Sequence, residues 1–131
     1  MQSILQFLPL LVVLCMYATF VRLAARITRA SGVGWLRAFQ FAALIVVLSV
    51  LGRVVSLYVG EAPLLLAGLF GITTHLALGA WFFRNRAVAA DGQVVGWAGG
   101  AKLSAVALGL LLLVMAVLLG ILRALLPTMQ P

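Results

Sequence analysis

Two carboxylates, one histidine and one cysteine are all that this 131-residue chain offers to acid–base, metal or thiol chemistry. A metal centre or a catalytic carboxylate pair has too few parts here. The two acids, Glu61 and Asp91, are also predicted on opposite sides of a membrane. Cys15 has no internal partner for a disulfide, so cysteine usage identifies no compartment. Bulky Leu14 before it, and the absence of a basic side chain upstream, make a poor lipoprotein site. Cys15 is read as a small buried apolar residue. Charge is scarce throughout, at 8% of residues against about 25% in soluble domains. What the chain has instead is apolar surface, 66% of residues against about 45–50%. A soluble core of this size could not hide so much, whereas a bilayer makes hiding it unnecessary.

The net charge of +7 invites a nucleic-acid reading. That reading needs basic residues gathered on one water-exposed face. Here they stand at the ends of apolar segments, which suits topology signals and anionic lipid headgroups instead.

Charge-free runs are the primary signal in such a chain. Met1 to Val21, Ala62 to Phe83 and Leu103 to Leu122 hold no charged residue, and each meets the requirement of roughly 20 residues for a spanning helix. Pro63 begins its run, where a helix tolerates the missing N–H. Ala38 to Val59 is interrupted by Arg53, which stands close enough to the helix end to snorkel to the interface. The expected fold is therefore all-α: a polytopic integral membrane protein, one membrane domain over 1–131, a four-transmembrane-helix bundle with spans near 3–22, 38–59, 63–83 and 103–124.

Orientation follows from the basic residues. Arg22, Arg26, Arg29 and Arg37 flank the first loop, and Arg84, Arg86 and Lys102 the third, whereas the opposite side has only Arg53 and Arg123. This asymmetry predicts that the two loops are cytoplasmic and both termini outside. Trp35, Trp81 and Trp97 fall at the same predicted interface and Tyr58 at the other. The first segment reads as a retained anchor and not a cleaved signal peptide, because it lacks a basic start and is followed by arginines. Arginine outnumbers lysine eight to one, an association with GC-rich bacteria that tilts the expectation towards a bacterial inner membrane.

Val33-Gly34-Trp35 and Val95-Gly96-Trp97 each precede a basic residue, an apolar span and a distal arginine, Arg53 or Arg123. Two such hairpins would be parallel repeats about an axis normal to the membrane. Against this, three matching letters in a biased composition arise by coincidence, and the spacing to the distal arginine differs.

Within the spans, Ser49, Gly52, Arg53 and Ser56 share one helical face, predicted to look into the bundle. Arg53 there is either an anion or headgroup site, or snorkels out to Glu61 or a lipid phosphate. Gly68, Gly71, His75 and Gly79 form a flat strip on the third helix, and Ala105, Gly109, Ala116 and Gly120 a small-residue stripe on the fourth, within the chain or between subunits. By depth, His75 can reach Tyr17, so a hydrogen bond between them or to a backbone carbonyl is its structural role. As a haem ligand His75 would need a second copy, a methionine such as Met16, or a partner's ligand. A proton relay lacks further titratable groups. The connection Asn85 to Ala101 carries turn signals at Asp91-Gly92 and Gly99-Gly100 and is read as a surface loop with Trp97 at the interface. It lacks the strand and the Gly-Lys-Ser/Thr ending of a phosphate loop.

No cofactor, metal or catalytic residue is expected. A Ser49–His75 dyad is conceivable by depth, but no nucleophile motif supports it. Size and helix count are similar to the small multidrug resistance transporters, yet the first helix lacks that family's membrane-embedded glutamate. The preferred expectation is a non-catalytic subunit or assembly factor of an inner-membrane complex. Its partners would be other membrane subunits or further copies, anionic headgroups and no nucleic acid. The alternatives are a small homo-oligomeric transporter or channel and, further off, a haem-binding anchor.

Overall fold

A computed structural model describes residues 2–60 and 62–125, with side chains from residue 8 onward. Four helices account for nearly all of it: α1 Gln2–Ile27, α2 Trp35–Val59, α3 Leu64–Phe83 and α4 Gly96–Leu125. All four are long and apolar enough to cross a membrane, and the chain is a multi-pass membrane protein. They run up, down, up and down, so the connections 28–34 and 84–95 meet at one end.

Three helices reach further towards that end than their apolar spans. α1 continues past Arg22 to Ile27, α2 begins at Trp35, and α4 begins at Gly96. Charge limits how much of a helix lies in hydrocarbon, not how long the helix is. The Gly99-Gly100 turn expected from sequence is therefore corrected: both residues are helical. Gly100 is there for close approach, since a Cβ on it would lie 2.8 Å from the Ala80 carbonyl oxygen. Asp91-Gly92 does turn. Gly92 has φ +84°, and the Gln93 N–H donates to Asp91 Oδ1 at 3.0 Å.

The core occupies only the half of the bundle nearest these connections. Tyr17, Ala18, Val21, Ala24 and Ala25 are buried on α1, Ala38, Phe41 and Ala42 on α2, and Ala80, Phe82 and Phe83 on α3. Gly100, Leu103, Ser104 and Ala107 complete it from α4. Towards the other end the helices separate, and Leu10–Val13, Leu57–Val59, Leu64–Leu66 and Val117–Leu119 are exposed. α4 packs mainly on α3 and α1, α1 also packs on α2, and α2 touches α3 least.

The two connections lock the closed end. Ser31 and Val88 exchange backbone hydrogen bonds of 2.7 and 2.9 Å. Arg37 Nη1 donates to the Gly32 carbonyl at 2.7 Å and to the Arg86 carbonyl, so one guanidinium ties both connections together. Helix α1 ends in a Schellman motif: the Ala30 N–H donates to Ala25 O, and the Arg29 N–H to Arg26 O. Its left-handed residue is Arg29, at φ +53°, where glycine is the usual choice.

The two hairpins are built alike. A constant shift of 62 positions, from Trp35 to Trp97, carries Ala18, Val21, Ala25, Ala38, Phe41 and Ala42 onto Ala80, Phe83, Ala87, Gly100, Leu103 and Ser104. All twelve are buried. The same shift carries Arg22 onto Arg84. The Arg22 guanidinium lies 4.7 Å from the Trp35 ring centroid, and that of Arg84 lies 4.9 Å from Trp97. Core positions and cation–π pairs thus repeat together, as two parallel hairpins require. The repeat is imperfect: the α1–α4 contact is extensive, whereas its counterpart between α3 and α2 is slight, and the shift pairs exposed Val13 with buried His75.

Candidate functional site

The polar centre of the core is the pair expected from depth. Tyr17 Oη and His75 Nε2 share a buried hydrogen bond of 2.6 Å. Tyr17 reaches it because its helix presents Tyr17, Val21, Ala24 and Ala25 to the bundle, a face at helical spacing. The same periodicity turns Cys15 away, so the expectation of a buried cysteine is corrected: Cys15 is exposed on the outer surface of α1.

Aromatic rings enclose the imidazole. Tyr17 and Phe41 each meet it edge-on, with centroids 5.7 Å away, and Phe41 packs on Phe83 at 4.8 Å. The Ser104 hydroxyl donates to the His75 carbonyl at 3.2 Å, joining α4 to α3. Beside it, Gly79 leaves a notch that the Ser104 side chain fills. Every buried side-chain polar atom among the described residues has a hydrogen-bond partner. This arrangement fixes helix register. An iron at Nε2 would have to displace the Tyr17 hydroxyl.

The other predicted positions separate by depth on α3 and by face on α4. Gly79 and His75 pack, but Gly68 and Gly71 meet nothing. On α4, Gly109 and Gly120 also face open space, and Ala105 and Ala116 are exposed. The helix packs within the chain on Gly100, Leu103, Ser104 and Ala107 instead. Ser49, Gly52 and Arg53 are exposed and Ser56 half-buried, so the inward-looking face expected on α2 is corrected. By that depth α2 has left its neighbours. The hydroxyls of Ser49 and Ser56 bond instead to carbonyls of their own helix, Ile45 and Arg53. Glu61, one partner considered for Arg53, lies outside the described residues. Ser49 and His75 engage different partners and form no dyad.

Sequence reasoning missed the arginines' aromatic partners and two clefts they line. At the closed end, Arg22 and Arg26 line a cleft of about 480 Å³ together with residues 30–34. Elsewhere, α2 and α3 part to leave an apolar groove of about 430 Å³ along Ala43, Leu44, Val47 and Phe82. Trp81 and Arg86 close its end and also line a polar recess with Arg84 and Asn85. The recurring Arg–Trp interval was the available signal for the cation–π pairs.

Compared with protein-family models, curated proteins and solved structures, the chain matches none.

Proposed function

We propose that this chain is a non-catalytic subunit or assembly factor of a membrane complex, held in a bacterial inner membrane with its basic end in the cytoplasm and both termini outside. The observation that carries this reading is the half-open bundle. Helices that close tightly around Tyr17 and His75 separate where Gly68, Gly71, Ala116 and Gly120 lie, and those positions, like Gly109 on the outward face of a packed stretch of α4, have no helix of their own chain against them.

In lipid, apolar burial does not draw helices together, because hydrocarbon solvates leucine as well as protein does. Association depends on close backbone approach, which small residues allow. An open half with smooth positions on two helices is suited to helices from another subunit. The basic asymmetry of the loops supports the orientation. The satisfied Tyr17–His75 pair supports a structural rather than catalytic core.

Purification in mild detergent, followed by identification of bound proteins, tests the reading. Stoichiometric co-purification of another membrane protein is the expected result. Recovery of the chain alone, or only as copies of itself with substrate flux in proteoliposomes, would replace it with the transporter reading.

A further inference from the structure

We infer that the groove between α2 and α3 is a binding site for one anionic phospholipid, whose acyl chain lies along Ala43, Leu44 and Val47 and whose phosphate meets Arg86. This inference is independent of which protein occupies the open half.

The geometry follows the layout of a phospholipid along the membrane normal. The groove walls are apolar along Ala43, Leu44 and Val47 on α2 and Phe82 on α3, with the polar Gln40 joining them one turn nearer the closed end. Where α3 ends, Trp81 and Arg86 belong at once to the groove and to the polar recess with Arg84 and Asn85. Apolar and cationic surfaces therefore join without a break. The Arg22–Arg26 cleft, which shares no lining residue with this groove, has charge but not the run of bulky apolar walls.

Arg86 is held in place for such a contact. Its Nη1 donates to the Phe82 carbonyl at 2.8 Å, and its guanidinium lies 4.5 Å from the Phe82 ring centroid. A guanidinium carries five N–H donors in a planar fork, so most remain to receive phosphate oxygens. Trp81 beside it is a residue type that favours the headgroup level.

The repeat indicates why the groove is open here and not elsewhere. The sequence shift of 62 that pairs the hairpins carries Ala24 onto Arg86. Ala24 is fully buried in α1, whose contact with α4 is closed. An arginine at the matching position of the second hairpin is too long and too strongly solvated to be buried in the same way. Charge complementarity selects the occupant. The phosphate of a neutral zwitterionic lipid carries its own cation, whereas an anionic headgroup supplies the uncompensated charge that Arg84 and Arg86 attract.

Native mass spectrometry of the full chain released from mild detergent tests this with phosphatidylglycerol, phosphatidylcholine of the same chains, and inorganic phosphate. One phosphatidylglycerol should bind in preference to phosphatidylcholine. Arg86→Gln should weaken it about fivefold, Ala43→Phe should block it by filling the groove, and Arg26→Gln, which alters only the other cleft, should leave it unchanged. Equal retention of the two lipids, or phosphatidylglycerol binding unaffected by Ala43→Phe, overturns the inference. So does displacement of the lipid by inorganic phosphate, which would make the recess a site for free anions. The lipid comparison on the unaltered chain decides the matter even if Arg86→Gln does not fold.

Discussion

Tyr17 and His75 are the residues on which the core turns, since each satisfies the other where water is absent. Interhelical polar contacts in membranes average about 0.6 kcal/mol and reach about 1.7 kcal/mol. Tyr17→Phe and His75→Gln should each lower stability within that range, and a double-mutant cycle followed by unfolding in detergent should show positive coupling. Additive losses would mean that the hydrogen bond contributes nothing. Glycines separate more sharply. Gly100→Leu drives a side chain against the Ala80 backbone and should destabilise the monomer by about 1–3 kcal/mol or more. Gly120→Ile meets open space and should leave monomer stability unchanged while impairing assembly. Equal thermal stability of the two variants contradicts this division. The partnership of Tyr17 with His75 was legible in the sequence because two polar groups at one depth in hydrocarbon have few other partners. The contrast between Gly100 and Gly120 was not, because it depends on where the helices cross, and the presence of a glycine on an apolar helix does not record a crossing.

At the scale of elements, the ends of the helices carry the information that the apolar runs do not. Four helices were legible from charge-free stretches, because a bilayer penalises charge more strongly than any local propensity acts. Their extensions at the closed end were not. Arg22, Arg26 and Lys102 stop a span yet remain helical, held by the packed connections. Arg29 shows one consequence, as its left-handed backbone costs an L-residue about 1 kcal/mol relative to glycine. Arg29→Gly should therefore raise the thermal stability of the purified protein by about that amount, although it removes a positive charge from the first loop. A fall in stability would mean that the side chain itself holds the turn. The hairpin repeat was hinted at by Val33-Gly34-Trp35 and Val95-Gly96-Trp97. What adds to the hint is burial at matched positions, a property of packing that three shared letters do not convey.

As a whole molecule, the chain is closed and rigidly tied at its basic end and open at the other. The basic end predicts orientation: positions 26 and 92 should be labelled only from the cytoplasmic side when single cysteines are introduced into a Cys15→Ala background, and labelling of position 92 from the opposite side would reverse the topology. The open end predicts company. Lipid alone solvates Leu118 or Val117 without difficulty, so exposure there is no argument by itself. The argument lies in small residues at Gly109, Ala116 and Gly120 on α4, and at Gly68 and Gly71 on α3, that no helix of the same chain uses. A photo-crosslinking amino acid at position 116, compared with position 105, equally exposed but on the stretch of α4 that packs within the chain, tests this in native membranes. The account predicts a discrete adduct with another protein from position 116 and little or none from position 105. Adducts with lipid alone at position 116 would contradict it, because the open half would then face the bilayer and not a partner.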